Sequence, residues 1–265
     1  MSGTPTPGDA LAVVTRGTLA VEGRLVDASN TTVRCWASLD GIRLRCVYKP
    51  VAGELPLWDF PDGTLAGREV AAYLVSSAAG FDLVPPTVLR EGPLGPGACQ
   101  LWVEETADAL VGFVPADQLP PGWHPIAMAQ DDDGAPYALA HADDPRLAAM
   151  AVFDAVVNNA DRKGGHVLVG PQGRLYGVDH GVCFHVESKL RTVLWGWADQ
   201  PLPAGEVHRL DEIVRLLDTG LDRALADLLT GDEVSAVGER VATLRASGRF
   251  PVPGHGGRAV PWPPM

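Results

Sequence analysis

Two aspartates, Asp161 and Asp179, are the residues of this chain whose spacing most clearly suggests chemistry. The apolar segments 167–169 and 175–178 lie between them and are separated by a Gly-Pro-Gln-Gly turn, which predicts a short β-hairpin. A hairpin brings the residues at its two ends side by side, so the two carboxylates can face one cleft. One carboxylate can then contact a hydroxyl while the other holds a metal ion on phosphate groups, as phosphoryl transfer requires.

A predicted helix leads into the first aspartate. Asp144 and Pro145 are a favourable N-cap and first helical residue. Apolar side chains then recur at helical spacing, at Leu147, Met150, Phe153 and Val157. The helix therefore delivers its carboxyl end to the turn that carries Asp161.

A small sheet and a helix are predicted upstream. Alternating apolar residues and the Asp40-Gly41 turn signal indicate antiparallel strands over residues 19–26, 33–39 and 42–48. Lys49 ends the third strand, and such a lysine must reach solvent or an anion. A helix is predicted over residues 68–79, with Thr64 as a cap and Glu69 in its first turn, twenty residues after Lys49.

The two aspartate loops resemble those of the phosphatidylinositol 3- and 4-kinase-related branch of the protein-kinase-like superfamily. They are more closely similar to a small, mostly actinobacterial family related to that branch. The lipid kinases have Asp-Arg-His-x-x-Asn in the catalytic loop, and residues 161–166 here read Asp-Arg-Lys-Gly-Gly-His. Their Asp-Phe-Gly metal loop corresponds to Asp179-His180-Gly181, which also follows apolar strand residues. His166 thus replaces the asparagine, and His180 replaces the phenylalanine.

The resemblance implies an α+β, two-lobed protein-kinase-like fold with a small antiparallel-sheet N-lobe and a mainly helical C-lobe. We expect the N-lobe over residues 11–105, the C-lobe over residues 106–248 and a loosely held Pro/Gly-rich tail over residues 249–265. Residues 114–143 are rich in Pro, Asp and Gly, and we expect them to be irregular with at most one short helix.

The resemblance also assigns site residues for an ATP-dependent phosphotransferase. The catalytic residues would be Asp161 on the acceptor hydroxyl, Arg162 bracing the loop and Lys163 on the γ-phosphate. Asp179 and His166 would hold Mg²⁺ or Mn²⁺. The ATP-binding residues would be Ser29, Asn30 and Thr31 in the first turn, Lys49 with its partner Glu69, and Trp102 and Val103 beside the adenine. The turn at residues 29–32 is equally typical of an ordinary hairpin, and Glu54 is a weaker candidate partner for Lys49.

Other interpretations are open at this point. A neutral imidazole suits manganese or zinc better than magnesium, so the site could prefer manganese, use one magnesium through Asp179 alone, or be an inactive nucleotide-binding pseudokinase. A second class is a metal-binding hydrolase or structural metal protein, for which the potential ligands are Asp161, His166, Asp179, His180, Cys183 and His185. No H-E-x-x-H or C-x-x-C spacing supports this class. A third class is a non-catalytic interaction module.

Composition limits the partners. The net charge of −12 and the pI near 4.9 argue against nucleic acid or an anionic membrane surface as the main partner. The chain lacks an apolar run long enough to cross a bilayer and lacks a signal peptide, so we expect no integral membrane association and a cytoplasmic location. The four cysteines are then expected to be free and buried. The hydroxyl acceptor, whether lipid, protein or small molecule, is left open.

Overall fold

The N-terminal lobe is built on a five-stranded antiparallel sheet with the strand order β1-β2-β3-β5-β4. The computed structural model describes residues 6–25, 30–61, 64–106, 109–254 and 258–265. The strands are β1 (Thr18–Arg24), β2 (Val33–Leu39), β3 (Ile42–Pro50), β4 (Thr87–Gly92) and β5 (Gly95–Leu101). At the predicted turn, Asp40 and Gly41 have φ values of 49° and 82°, the positive values that a two-residue hairpin turn favours. The three predicted N-terminal strands are therefore confirmed.

Two helices pack on this sheet. The first, α1 (Pro7–Arg16), is not among the predicted elements, although Thr6 and Asp9 form a reciprocal capping box at its start. The second, α2 (Leu65–Ala78), begins as expected at Thr64, whose hydroxyl accepts a hydrogen bond from the Gly67 N–H. Glu54 accepts hydrogen bonds from the N–H groups of Leu65 and Ala66, so it caps α2 and is not the partner of Lys49.

The C-terminal lobe is mainly helical. Its elements are α3 (Pro145–Val157), the hairpin β9 (Val167–Val169) and β10 (Leu175–Gly177), and the helices α4 (Ala204–Leu216), α5 (Asp222–Ala226) and α6 (Gly231–Ser247). Asp144 caps α3 through the Arg146 N–H at 2.8 Å, as the sequence predicts. The helix ends at Asn158, which adopts a left-handed conformation with φ 53°. Apolar side chains of α3 lie at the centre of the main hydrophobic core.

Residues 114–143 differ from the prediction. They form most of a three-stranded antiparallel sheet with the order β6-β8-β7, consisting of β6 (Val111–Pro115), β7 (Trp123–Gln130) and β8 (Pro136–Ala142). The prolines that suggested an irregular segment sit where strands tolerate them. Pro115 ends an edge strand, Pro125 lies at a register shift and Pro136 begins a strand.

The C-terminal tail is also more ordered than predicted. Phe250 is buried and its N–H donates to the Gln200 carbonyl at 2.9 Å. Ala259 accepts hydrogen bonds from the Thr192 N–H and from the Trp195 indole. The described residues of the tail therefore pack against the C-terminal lobe.

The four cysteines are free and buried, as expected. Cys35 and Cys46 lie opposite each other on β2 and β3 without forming a disulfide. Within the part of the chain that the structure describes, no helix has both the length and the apolar character needed to cross a membrane.

Candidate active site

Lys49 lies at the centre of a charged cluster between the two lobes. It extends from the end of β3, and its ammonium is hydrogen-bonded to Glu69 of α2 and to Asp179 Oδ1, the latter at 2.9 Å. The second oxygen of Glu69 accepts the His180 N–H at 3.0 Å. Glu69 is almost fully buried, whereas 54% of the Asp179 side chain is exposed. The twenty-residue spacing of Lys49 and Glu69 thus corresponds to a direct ion pair, and Asp179 remains accessible from the cleft.

The electrostatics of this cluster favour the charged forms of Lys49 and Asp179. Lys49 is the main reason that the pKa of Asp179 lies well below its ordinary value. Burial alone would lower the pKa of Lys49. The carboxylates of Asp179 and Glu69 outweigh this effect and raise its pKa above the ordinary value. Burial raises the pKa of Glu69, which the attraction of Lys49 counteracts. We therefore treat Lys49 as a cation that two carboxylates hold in place.

The backbone at Asp179 is unusual. Its φ of 62° is left-handed, a conformation that non-glycine residues seldom adopt and that is concentrated at functional sites. His166 lies on its other side, with Nε2 3.4 Å from Asp179 Oδ2. Burial lowers the pKa of His166 to about 4, despite the nearby Asp179. His166 is therefore a neutral imidazole at physiological pH.

Asp161 lies on the turn between α3 and the hairpin. Its N–H donates to Asn159 Oδ1 at 2.9 Å, which fixes the turn, and Lys163 Nζ is 3.3 Å from its Oδ2. Burial raises the pKa of Asp161 in spite of Lys163, and the negative charge of Asp179 raises it further. The charge of Asp179 therefore acts on Asp161, and the use of both carboxylates in one site stays a prediction.

Arg162 was predicted together with Asp161 and Lys163 as a catalytic residue, which implies a side chain that faces the cleft. The structure places it elsewhere. Its side chain is completely buried and forms a two-pronged ion pair with Asp154 at 2.9 Å. It also donates to the Val178 carbonyl at 2.9 Å and to His180 Nε2 at 2.7 Å. Arg162 therefore does not face the cleft. It joins α3 to both aspartate loops, which is the bracing role also expected of it.

A cleft of about 850 Å³ opens beside this cluster, within the size range of small-molecule sites. Trp102 and Val103, the residues expected beside the adenine, are among those that line it. Of the predicted turn residues, Asn30 accepts a hydrogen bond from the Leu55 N–H, and Thr31 packs against Gly53. Neither lines the cleft, where Thr32 is found instead. Ser29 lies outside the described residues.

Several residues near the site were missed by sequence reasoning. The cleft is also lined by Arg34, Val47, Gln100, Leu168 and Val178. Asp154 and Asn159 support the turn that carries Asp161 through hydrogen bonds. Asp154 did carry a signal, because an acidic residue within an otherwise apolar helix needs a buried partner.

The alternative metal-protein interpretation finds no geometric support. Across the described ranges, no group of three or more His, Cys, Asp or Glu side chains is arranged to hold an ion. His180 is directed at Arg162, Cys183 is buried, and His185 packs edge-on against Phe60 with ring centroids 5.2 Å apart. His180, Cys183 and His185 therefore do not join His166 and Asp179, which are neighbours, in a common ligand set.

Comparison with known proteins shows a relative in sequence and a solved structure of similar fold. No protein-family model matches the chain. The chain is 49% identical over 265 residues to the protein Rv2133c of Mycobacterium tuberculosis (strain ATCC 25618 / H37Rv), covering 96% of this chain and 95% of that protein. Among solved structures, the Golgi casein kinase aligns with a TM-score of 0.52 at 12% identity, over 91% of this chain and 74% of that one. The Helicobacter pylori proinflammatory kinase CtkA aligns at 0.44 and 10% identity, over 89% and 94% of the two chains. The likeness to the Golgi casein kinase establishes the predicted kinase-like fold.

Proposed function

This chain belongs to the same family as the mycobacterial protein Rv2133c, and we propose that it is an ATP-dependent phosphotransferase. The observation that carries the proposal is the contact of Lys49 with both Glu69 and Asp179 at the mouth of a nucleotide-sized cleft. Kinase-type sites place a lysine, its glutamate partner and a metal-binding aspartate in this relation. The relation to phosphatidylinositol kinases stays a prediction.

Different side chains would have different roles in phosphoryl transfer. Lys49 would contact the α- and β-phosphates, and Lys163 would approach the γ-phosphate. Asp161 would accept the proton of the acceptor hydroxyl as its oxygen bonds to the γ-phosphorus and the bond to the β–γ bridging oxygen breaks. ADP then leaves, and the proton passes from Asp161 to solvent. The burial that raises the pKa of Asp161 makes it a better proton acceptor than an exposed aspartate.

The residues present fit a divalent ion that arrives with the nucleotide. Magnesium at such sites is typically held by one or two carboxylates together with phosphate oxygens and water. Asp179 supplies a carboxylate that is about half exposed to the cleft. Bound there, the ion would neutralise charge on the β- and γ-phosphates.

His166 fits a supporting role better than direct metal ligation. The Lys163 N–H is directed at His166 Nδ1 at 3.5 Å, which makes Nδ1 the acceptor and places the ring proton on Nε2. Nε2 then donates toward Asp179 Oδ2. In this tautomer no lone pair of His166 is directed at the metal. His166 is therefore assigned to orienting Asp179.

The proposal is tested by nucleotide binding. Thermal unfolding of wild type with ATP and Mg²⁺ or Mn²⁺ should show stabilisation that Asp179→Asn abolishes. Asp199→Asn is a matched control, because Asp199 shares the left-handed backbone (φ 61°) but lies outside the cleft. Asp161→Asn should keep ATP binding and lose transfer. If ATP with metal stabilises Asp179→Asn as strongly as wild type, the phosphotransferase assignment is wrong.

A second candidate is nucleotide binding without transfer. One observation favours it. His166 occupies the position at which the kinases that these loops resemble have an asparagine. Both candidates predict ATP binding, so slow ATP hydrolysis or autophosphorylation that depends on Asp161 separates them. Turnover that is lost in Asp161→Asn, with ATP binding unchanged, would exclude the non-catalytic candidate.

A further inference from the structure

A second cavity, of about 680 Å³, lies between the β6-β8-β7 sheet and the C-terminal segment 258–264. We call it the apolar groove. Its walls are largely hydrophobic, and the lining residues with polar side-chain groups are Gln130, Asp131, Tyr137 and Arg258. A cavity of this size and character is typical of a small-molecule site. Neither the catalytic residues nor the nucleotide cleft uses it.

Strand register explains why this wall of the groove is apolar. Leu139 of β8 lies opposite Phe113 on β6 and opposite Ala127 on β7, so these three side chains share one face of the sheet. The alanine on β7 leaves space that a larger residue would fill. Trp262 of the tail forms part of the opposite wall. Phe113 is 46% exposed and Trp262 is 76% exposed, so hydrophobic surface is available to a ligand.

The groove adjoins the loop that carries Asp161. Pro264, which lines the groove, accepts a hydrogen bond from the Gly164 N–H at 2.8 Å. The side chains of Met265 and Val111 pack closely against Gly164. Gly164 is three residues from Asp161, and three residues span at most about 11 Å. The backbone of Gly164, which contacts the groove residue Pro264, therefore lies within about 11 Å of the backbone of Asp161.

We propose that the apolar groove binds the hydrocarbon part of the acceptor, which would be an apolar alcohol whose hydroxyl is attached directly to that hydrocarbon. This inference rests on the proposed phosphotransferase activity. The alcohol oxygen would bond to the γ-phosphorus, the bond to the β–γ bridging oxygen would break, and the products would be ADP and an alkyl phosphate. The hydroxyl proton goes to Asp161 and then to solvent.

The chemistry of the walls distinguishes this acceptor from others. A polyol or sugar would need polar partners along its length, and the sheet face offers Phe113, Leu139 and Ala127 instead. A peptide that lay across the sheet face would leave its backbone groups without partners against these side chains. The net charge of −12 opposes adsorption to an anionic bilayer. The acceptor is therefore expected to enter as a single dispersed molecule.

The test measures binding and transfer separately. Calorimetric titration with hexan-1-ol, octan-1-ol and decan-1-ol should show affinity rising by about fourfold per added methylene until the groove is filled. Phe113→Ser should weaken decan-1-ol binding by about tenfold, as expected when most of an aromatic contact is lost. Leu89→Ser is the matched control, because Leu89 is also 46% exposed but lies on β4 in the other lobe, and it should change nothing. Labelled ATP should then yield decyl phosphate, and glycerol should remain unlabelled.

The outcomes are distinct. Affinity that does not depend on chain length, or that Phe113→Ser leaves unchanged, overturns the assignment of the groove. Label that appears only on glycerol or on protein hydroxyls overturns the acceptor class while leaving the phosphotransferase intact. A concentration-dependent dimer that Phe113→Ser disperses would show that a second copy occupies the groove, which also overturns the proposal. Failure of wild type to bind ATP refutes the proposed function, whatever alcohols bind.

Discussion

Asp154 is the acceptor in a buried hydrogen-bond network that supports the loop carrying Asp161. We therefore expect Asp154→Ala to be strongly destabilising. The side chains of Asp154 and Arg162 are both completely buried, and Asp154 also accepts a hydrogen bond from Asn159. Arg162 cannot lose its proton, so the substitution leaves a buried cation with only carbonyl and imidazole acceptors. Breaking a buried ion pair from one side costs about 3–5 kcal/mol. The lost Asn159 bond adds about 1 kcal/mol.

Urea unfolding at pH 7 would measure this loss. The matched control is Glu212→Ala, because Glu212 also holds an arginine, Arg215, through bonds of 2.5 and 2.9 Å but on the surface of α4. That exposed pair should contribute no more than about 0.5 kcal/mol. The double substitution Asp154→Leu with Arg162→Met should recover much of the stability, since it removes both charges. If Asp154→Ala costs no more than Glu212→Ala, the network does not support the loop as argued.

Two further predictions concern histidines. Because His166 is assigned to orienting Asp179, magnesium should support ATP binding as well as manganese does, and His166→Asn should preserve this balance; a strong manganese preference that His166→Asn removes would mean direct ligation. Burial lowers the pKa of His141 to about 4, although the Ala142 carbonyl and Asp143 favour its protonated form and His124 opposes it. The unfolded chain then binds more protons between about pH 6.5 and pH 4, so this residue should cost up to about 3 kcal/mol of stability as the pH falls through that window. His141→Gln should flatten the pH dependence of urea unfolding, the exposed His208→Gln should leave it unchanged, and equal slopes in all three proteins would contradict this account.

The parts of the site that the sequence predicted depend on local patterns. Alternation places Lys49 next to the last residue of β3, and the helical start signals at Thr64 place Glu69 five residues further on, in the second turn of α2. The hairpin between Asp161 and Asp179 follows from two apolar runs and a turn. Each of these features is encoded within a few residues, so the contact of Lys49 with Glu69 follows from the register of two neighbouring elements.

The unpredicted parts depend on contacts between distant residues. The β6-β8-β7 sheet was not predicted because the composition of residues 114–143 resembles that of a loop. Its prolines lie in an edge strand, at a register shift and at a strand start, all of which tolerate proline. The burial of Arg162 depends on Asp154, and eight residues of separation across a helix end give no periodic signal. The contact of Pro264 with Gly164 joins residues one hundred positions apart.

Glu69 connects the N-terminal sheet to the loop that carries Asp179. One of its oxygens holds Lys49 from the sheet, and the other holds the backbone N–H that directly follows Asp179. Because Lys49 also contacts Asp179, a shift of α2 would move the lysine and redirect the aspartate together. Beneath them, Arg162 ties the same loop to α3 through His180 and Val178. The exposed carboxylate of Asp179 is therefore positioned from above by α2 and from below by α3, which explains how a left-handed residue keeps one orientation in an open cleft.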